Sequence, residues 1–136
     1  MNILENVEKV FSENGIKYFK GNDSNENILS VPYRGIEDQK NHINIYMDVD
    51  EKLKMIKFTF AEKKNDKFEI STIKSKLLDL NSSLIIGNLS MRSESDTIEY
   101  RVDYQLNEDS FSFDKYNKFI VRCIRVYEKL KEEDLI

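Results

Sequence analysis

Two stretches of strict alternation constrain this chain more than any other feature. Between Thr97 and Leu106, Ile98, Tyr100, Val102, Tyr104 and Leu106 take every second position, and Glu99, Arg101, Asp103 and Gln105 fill the gaps. Between His42 and Asp50, Ile43, Ile45, Met47 and Val49 alternate in the same way with His42, Asn44, Tyr46 and Asp48. A period of two sends successive side chains to opposite faces, so each stretch reads as a strand with one buried and one wet face. Lys54 to Glu62 repeats the pattern with Ile56, Phe58 and Phe60 against Lys57, Thr59 and Ala61, and the short Asp50-Glu51-Lys52 turn makes a hairpin of it with the preceding strand. Ile85 to Glu94 reads as a further strand with Gly87 as a candidate bulge, returning through Ser93-Glu94-Ser95-Asp96 into Thr97.

Three segments follow the helical period instead. Ile3, Leu4, Val7, Val10 and Phe11 place a helix over about residues 2 to 14, stopped by Asn14-Gly15. Asp66-Lys67-Phe68-Glu69 has capping-box spacing and is expected to open a second helix, whose stripe is Ile70, Ile73, Leu77, Leu80 and Leu84 and whose end is Asn81-Ser82-Ser83. Phe113, Tyr116, Ile120, Cys123, Tyr127 and Leu130 mark a third helix over about residues 113 to 133, with Ser112 as its cap. Between the first helix and His42, Ile16-Lys17-Tyr18-Phe19 is a short strand candidate, and Gly21 to Asn27 reads as a mobile loop. Ile28 to Arg34 is extended, with Pro32 placing it at an edge or ending it there, and the register of residues 16 to 41 stays open. The order is α-β-β-β-α-β-β-α with a possible extra short first strand. It predicts one α+β domain over residues 1 to 136, an antiparallel sheet with helices on one face, and a second face left to solvent or to a partner.

The residues offer little chemistry. His42 is the single histidine and the one side chain ordinarily suited to general base work near neutral pH, but it sits at a strand start beside Asn41 and reads as a surface residue. Cys123, the only cysteine, falls on the apolar stripe of the third helix and reads as core. Asp48-Val49-Asp50-Glu51 lacks the glycine and distal glutamate of a calcium loop and reads as a charged turn. Glu99, Arg101 and Asp103 form a carboxylate, guanidinium, carboxylate ladder in which the arginine keeps both acids ionised, so neither becomes a raised-pKa acid. The four glycines are isolated and cradle no phosphate. Lys63, Lys64 and Lys67, and Arg122 and Arg125, read as solvated faces. No catalytic, cofactor or metal residue is therefore expected. Twenty-one Lys and Arg against 25 Asp and Glu give a net charge of −4, which repels nucleic acid, and no apolar run suits a bilayer; the expectation is a cytoplasmic protein without nucleic-acid or membrane partners. Tyr46 stands apart because it shares the polar strand face with His42, Asn44 and Asp48, where a large amphipathic ring suits an interface.

Ile45-Tyr46-Met47-Asp48-Val49-Asp50-Glu51, Leu77-Leu78-Asp79-Leu80-Asn81 running into Ile85-Ile86-Gly87-Asn88-Leu89, and Thr97-Ile98-Glu99-Tyr100-Arg101-Val102 resemble the YbjN family in its acidic-turn strand, its helix-to-strand passage and its return strand. The resemblance runs from about Ile3 to Leu130, is carried by hydrophobic pattern, and departs at Gly21 to Tyr33 and at Gly35 to Asn41. It implies a domain similar to the type III secretion chaperone fold, and a non-enzymatic, homodimeric protein-binding module of regulatory or chaperone-like kind. It carries over no active-site residue. The expected partner surface is the polar sheet face around Tyr46, Asn44 and Arg101. The alternatives are a small acidic protein that neutralises a toxin or enzyme, and a hydrolase using carboxylates. A contiguous apolar patch on the open face would favour the first reading, an acidic concavity the second, and a pocket holding His42 or raised-pKa carboxylates the third.

Overall fold

The computed structural model describes residues 2–34, 42–106 and 111–136; the 35–41 connection and the His42 side chain lie outside what is described. Its elements run α1 (Ile3–Glu13), β1 (Phe19–Lys20), β2 (Ile28–Arg34), β3 (His42–Asp50), β4 (Met55–Lys63), α2 (Ile70–Ser83), β5 (Asn88–Arg92), β6 (Thr97–Gln105) and α3 (Phe113–Glu132). The strands make one antiparallel sheet in the order β1-β2-β3-β4-β6-β5. The alternating apolar residues of β3, β4 and β6 all face one way and pack into a single core with Leu4, Val7 and Phe11 of α1, Ile73 and Leu77 of α2, and Tyr116, Ile120, Cys123, Tyr127 and Leu130 of α3. All three helices therefore cover one sheet face, as the periodicities require. No helix is long and apolar enough to cross a membrane among the described residues.

Several boundaries differ from expectation, each for a local reason. The first strand is two residues long and lies at Phe19–Lys20, because Gly15 takes a left-handed φ of +66° and the Ile16 amide donates back to the Phe11 carbonyl, which spends Ile16 on ending α1. The 21–27 loop holds a 3₁₀ turn at Asp23–Asn25. β2 runs straight through Pro32 and pairs with β3 along its whole length. The Val49 amide bonds the Asn27 carbonyl, which sets a phase in which even-numbered β2 residues turn their backbone groups away from β3. The Pro32 nitrogen thus faces the outer edge, beyond the last pair with β1 at Ser30, where no ladder bond is lost.

The expected capping box does not open α2, which begins at Ile70 with Glu69 as a cap that makes no side-chain bond. The Asn65 side chain instead accepts from the Lys67 amide at 3.0 Å, and the Asn65 amide is held by the Leu135 carbonyl at 2.8 Å, so this stretch is a turn. The acidic β3–β4 turn does structural work: Glu51 accepts from the Ile3 and Leu4 amides at 2.9 and 3.2 Å, while Asn2 accepts from Glu5 at 2.8 Å, which satisfies three amides of the α1 N-terminus.

β5 is shorter than the expected Ile85 to Glu94 because residues 85–87 leave the strand. Asn81 accepts from the Leu89 amide (2.8 Å) and donates to the Leu89 carbonyl (2.9 Å), tying the end of α2 to β5. The buried Tyr100 hydroxyl donates to the Ile86 carbonyl at 2.9 Å, beneath Gly87, whose φ is +84° and whose Cβ position is filled by the tyrosine ring. Gly87→Ala is therefore expected to destabilise the fold by about 1–3 kcal/mol, through a strained backbone and displacement of Tyr100. Urea denaturation checks it, and an unchanged midpoint would count against the clamp.

Candidate functional site

Two surfaces are candidates, on opposite sides of the sheet. The uncovered face brings the sequence-predicted residues together: cross-strand pairing sets Phe19, Ser30, Tyr46, Thr59, Arg101 and Asn88 in one row over six strands. With strands about 4.8 Å apart, Tyr46 and Arg101 lie about 10 Å from each other with Thr59 between them. Tyr46 is 43% exposed, and Asn44, two residues along β3, is exposed on the same face. The next row, Asp48-Lys57-Asp103, sets a lysine between two aspartates. The expected three-residue ladder is split. Arg101 donates to both Asp103 carboxylate oxygens at 3.0 and 3.2 Å, while Glu99 takes Arg92 across β5 at 2.8 Å, because the neighbouring strand offers a second guanidinium. Asp103 raises the Arg101 pKa still further above its ordinary value, so the guanidinium stays charged. The described residues of this face carry two exposed rings, Phe19 at 68% and Tyr46, which Ser30 separates, and polar groups fill the rest of the row, so the rings do not form a contiguous apolar patch.

A second exposed apolar surface lies on the helical side. Ile85 is 76% exposed, Val121 44% and Ile86 39%, and they border a groove between the end of α2, the 84–87 linker and α3. One part, of about 240 Å³, is walled by Leu80, Leu84, Leu89, Val126 and Leu130. The other, of about 480 Å³, lies along Lys118, Phe119 and Val121. Ile86, Arg122 and Arg125 belong to both parts. Sequence reasoning missed this surface by assigning Arg122 and Arg125 to a solvated face. The available signal was the Ile85-Ile86 pair, apolar residues placed between a helix end and a glycine.

The remaining reactive groups are spent on structure. Burial pushes the Cys123 thiol from its ordinary 9.0 up to about 12 and the Tyr100 phenol from 10.0 to about 12. A thiol so protonated is no nucleophile near neutral pH. Burial also raises Glu62, at the end of the inner face of β4, against an opposing effect of Lys131. Tyr33 and Tyr116 join hydroxyl to hydroxyl between β2 and α3. Among the described residues, no three His, Cys, Asp or Glu side chains gather in a way that could hold a metal ion.

Three helices on one face of a six-stranded antiparallel sheet, in this order, define a YbjN-like α+β domain. The structure is similar to the crystal structure of YbjN from E. coli, described as a proposed transcription regulator, with a TM-score of 0.69 and 12% sequence identity, over 97% of this chain and 93% of that one. At that identity the likeness establishes the fold. No protein-family model matches the chain, and no curated protein matches it.

The raised thiol and phenol predict the alkaline behaviour. Both groups hold their protons more tightly folded than unfolded, so their contribution to stability is complete below about pH 9 and is lost as pH rises toward about 12. Denaturation midpoints should fall over that range, less steeply in Cys123→Ala, which should itself cost about 1 kcal/mol at neutral pH. Rapid alkylation of the native thiol would contradict this burial.

Proposed function

We propose that this chain is a non-enzymatic protein-binding module of regulatory kind, acting as a homodimer, with the uncovered sheet face as a partner surface. The observation that carries the reading is the row in which Tyr46, Thr59 and Arg101 stand side by side on a face that no described element covers. An exposed tyrosine at the centre of a polar field combines apolar area with a hydroxyl, and the flanking ionic contacts make a rim that fixes orientation. Arg101 enters as part of that rim, since Asp103 already holds its guanidinium, and Asn44 supplies an amide beside the ring. The burial of Cys123 supports a binding role over nucleophilic chemistry. The similar YbjN structure, itself of a proposed transcription regulator, supports the regulatory class. The neutraliser reading asks for an acidic concavity, whereas the groove along α3 is lined by lysine and arginine.

Tyr46→Ala should leave the denaturation midpoint within about 0.5 kcal/mol of the parent, because its ring lies outside the core, and should weaken partner capture by about 1–2 kcal/mol. Affinity purification from the native cell with parent and variant side by side measures it. Equal capture by the two proteins removes Tyr46 from the surface.

The homodimer has its own check. The outer edge of β2 past Ser30 and the outer edge of β5 carry no described strand partner, and a two-fold mate can cover an edge or the open face. Light scattering at micromolar concentration should give twice the 16.1 kDa chain mass. A monomer mass throughout would overturn the dimer.

A further inference from the structure

The α2–α3 groove is separate from the sheet face, and its charge is opposite to that of the chain. The protein carries a net charge of −4, yet the residues lining the groove include Lys118, Arg122, Arg125 and Lys129 and no carboxylate. Lys129 is held by Glu133 at 3.2 Å and Glu132 at 3.8 Å. Lys118, Arg122 and Arg125 make no ion pair with any described carboxylate, so three cations stand beside an apolar trough without a described ion-pair partner. Their spacing is helical. Positions 118, 122, 125 and 129 follow one another by four, three and four residues and form one stripe along α3, about 17 Å from end to end at 1.5 Å per residue.

The opposite wall is held in place from both ends. The Asn81–Leu89 amide pair fixes the end of α2, and the Tyr100 hydroxyl fixes the Ile86 carbonyl. Ile85 and Ile86 are thus presented to solvent on a tied backbone, and little ordering is left for a ligand to impose.

We propose that this groove receives an amphipathic helix of a partner protein, its apolar stripe lying against Ile86 and Val126 and its acidic flank facing Lys118, Arg122 and Arg125. Charge complementarity selects this occupant. A single-headed anion such as a fatty acid would place one carboxylate near one cation and leave the others unserved along the stripe. A helix carrying Glu or Asp every three or four residues meets them in turn, in the helix-in-groove mode of recognition. The proposal is independent of the sheet-face surface, so either can fail while the other stands.

The test is fluorescence anisotropy of a labelled synthetic peptide of about four helical turns, with leucines at i, i+3, i+4 and i+7 and glutamates on one flank. Its controls are a scrambled peptide of the same composition and a version with lysine in place of each glutamate. The full chain should bind the acidic amphipathic peptide at least about tenfold more tightly than either control, with an affinity that falls as salt is raised. Arg122→Glu combined with Arg125→Glu should lose at least about tenfold, as should Ile86→Asp, while Tyr46→Ala binds as the parent does. These groove residues are wholly or partly exposed, and circular dichroism melting confirms that each variant is folded. The peptide controls and the salt series on the unmodified chain decide the question without any variant. Equal binding of the scrambled peptide, insensitivity to salt, or tighter binding of dodecanoate or duplex DNA in competition would overturn the proposal.

Discussion

Tyr116 is the contact on which the rest of the molecule depends. It is fully buried on α3, with ring centroids at 5.1 Å from Phe11 of α1, 5.8 Å from Phe111 and 6.3 Å from Phe58 of β4, and its hydroxyl meets that of Tyr33 on β2. One side chain thereby joins two helices and two strands that are distant in sequence. Desolvation together with the neighbouring phenol raises its pKa, so the ring is a neutral, close-packed body in any ordinary buffer. Phe119, stacked on Phe58 at 5.1 Å and tilted against Tyr104 at 4.8 Å, extends the seam one turn along α3. Aromatic pairs at these separations contribute about 0.5–1.5 kcal/mol each beyond the area they bury. The seam therefore fixes where α3 lies across the sheet.

That placement divides the molecule's surfaces. With α3 seated along β4 and β6, the inner sheet face is closed and the outer face is left to Tyr46, Asn44, Thr59 and Arg101. The inward side of α3 is consumed by Tyr116, Ile120, Cys123, Tyr127 and Leu130. Its flank at Lys118, Arg122 and Arg125 is turned toward the linker after α2, where Ile85 and Ile86 stand exposed. The Tyr100–Ile86 bond and Gly87 are what hold that linker there. The fold thus produces two exposed faces of different chemistry: a polar sheet face that carries the Phe19 and Tyr46 rings, and an apolar trough beside a row of cations.

The comparison with YbjN places this architecture without placing a ligand. A TM-score of 0.69 at 12% identity means that two largely different sequences satisfy the same layer geometry. What such sequences share is the alternation of their strands and the stripes of their helices, because burial selects for pattern and volume more than for particular side chains. Arg122, Arg125 and Tyr46 lie outside that pattern, and function is argued from such residues individually.

How much was legible in the linear text follows from the range of each interaction. Strict alternation in 42–50, 54–62 and 97–106 determined three long strands and their buried faces, and the stripes determined three helices, because both periods are properties of the local backbone. Cys123 was legible as core and Tyr46 as a ring on the polar face for the same reason. The start of α2 was misread because Asn65 is held from outside by Leu135, 70 residues away, and a local capping pattern cannot register that contact. Glu51 gave no sign of capping α1, a bond that spans 48 residues. The row joining Tyr46 to Arg101 exists because β4 pairs with β6, a pairing between hairpins that strand periodicity leaves unspecified. Arg122 and Arg125 read as solvated because hydrophobic pattern tells which side of a helix is buried and nothing of what stands beside its flank. Sequence by itself determined which residues turn inward, a matter of period; tertiary structure decided which outward residues become neighbours, because that depends on how separate elements dock.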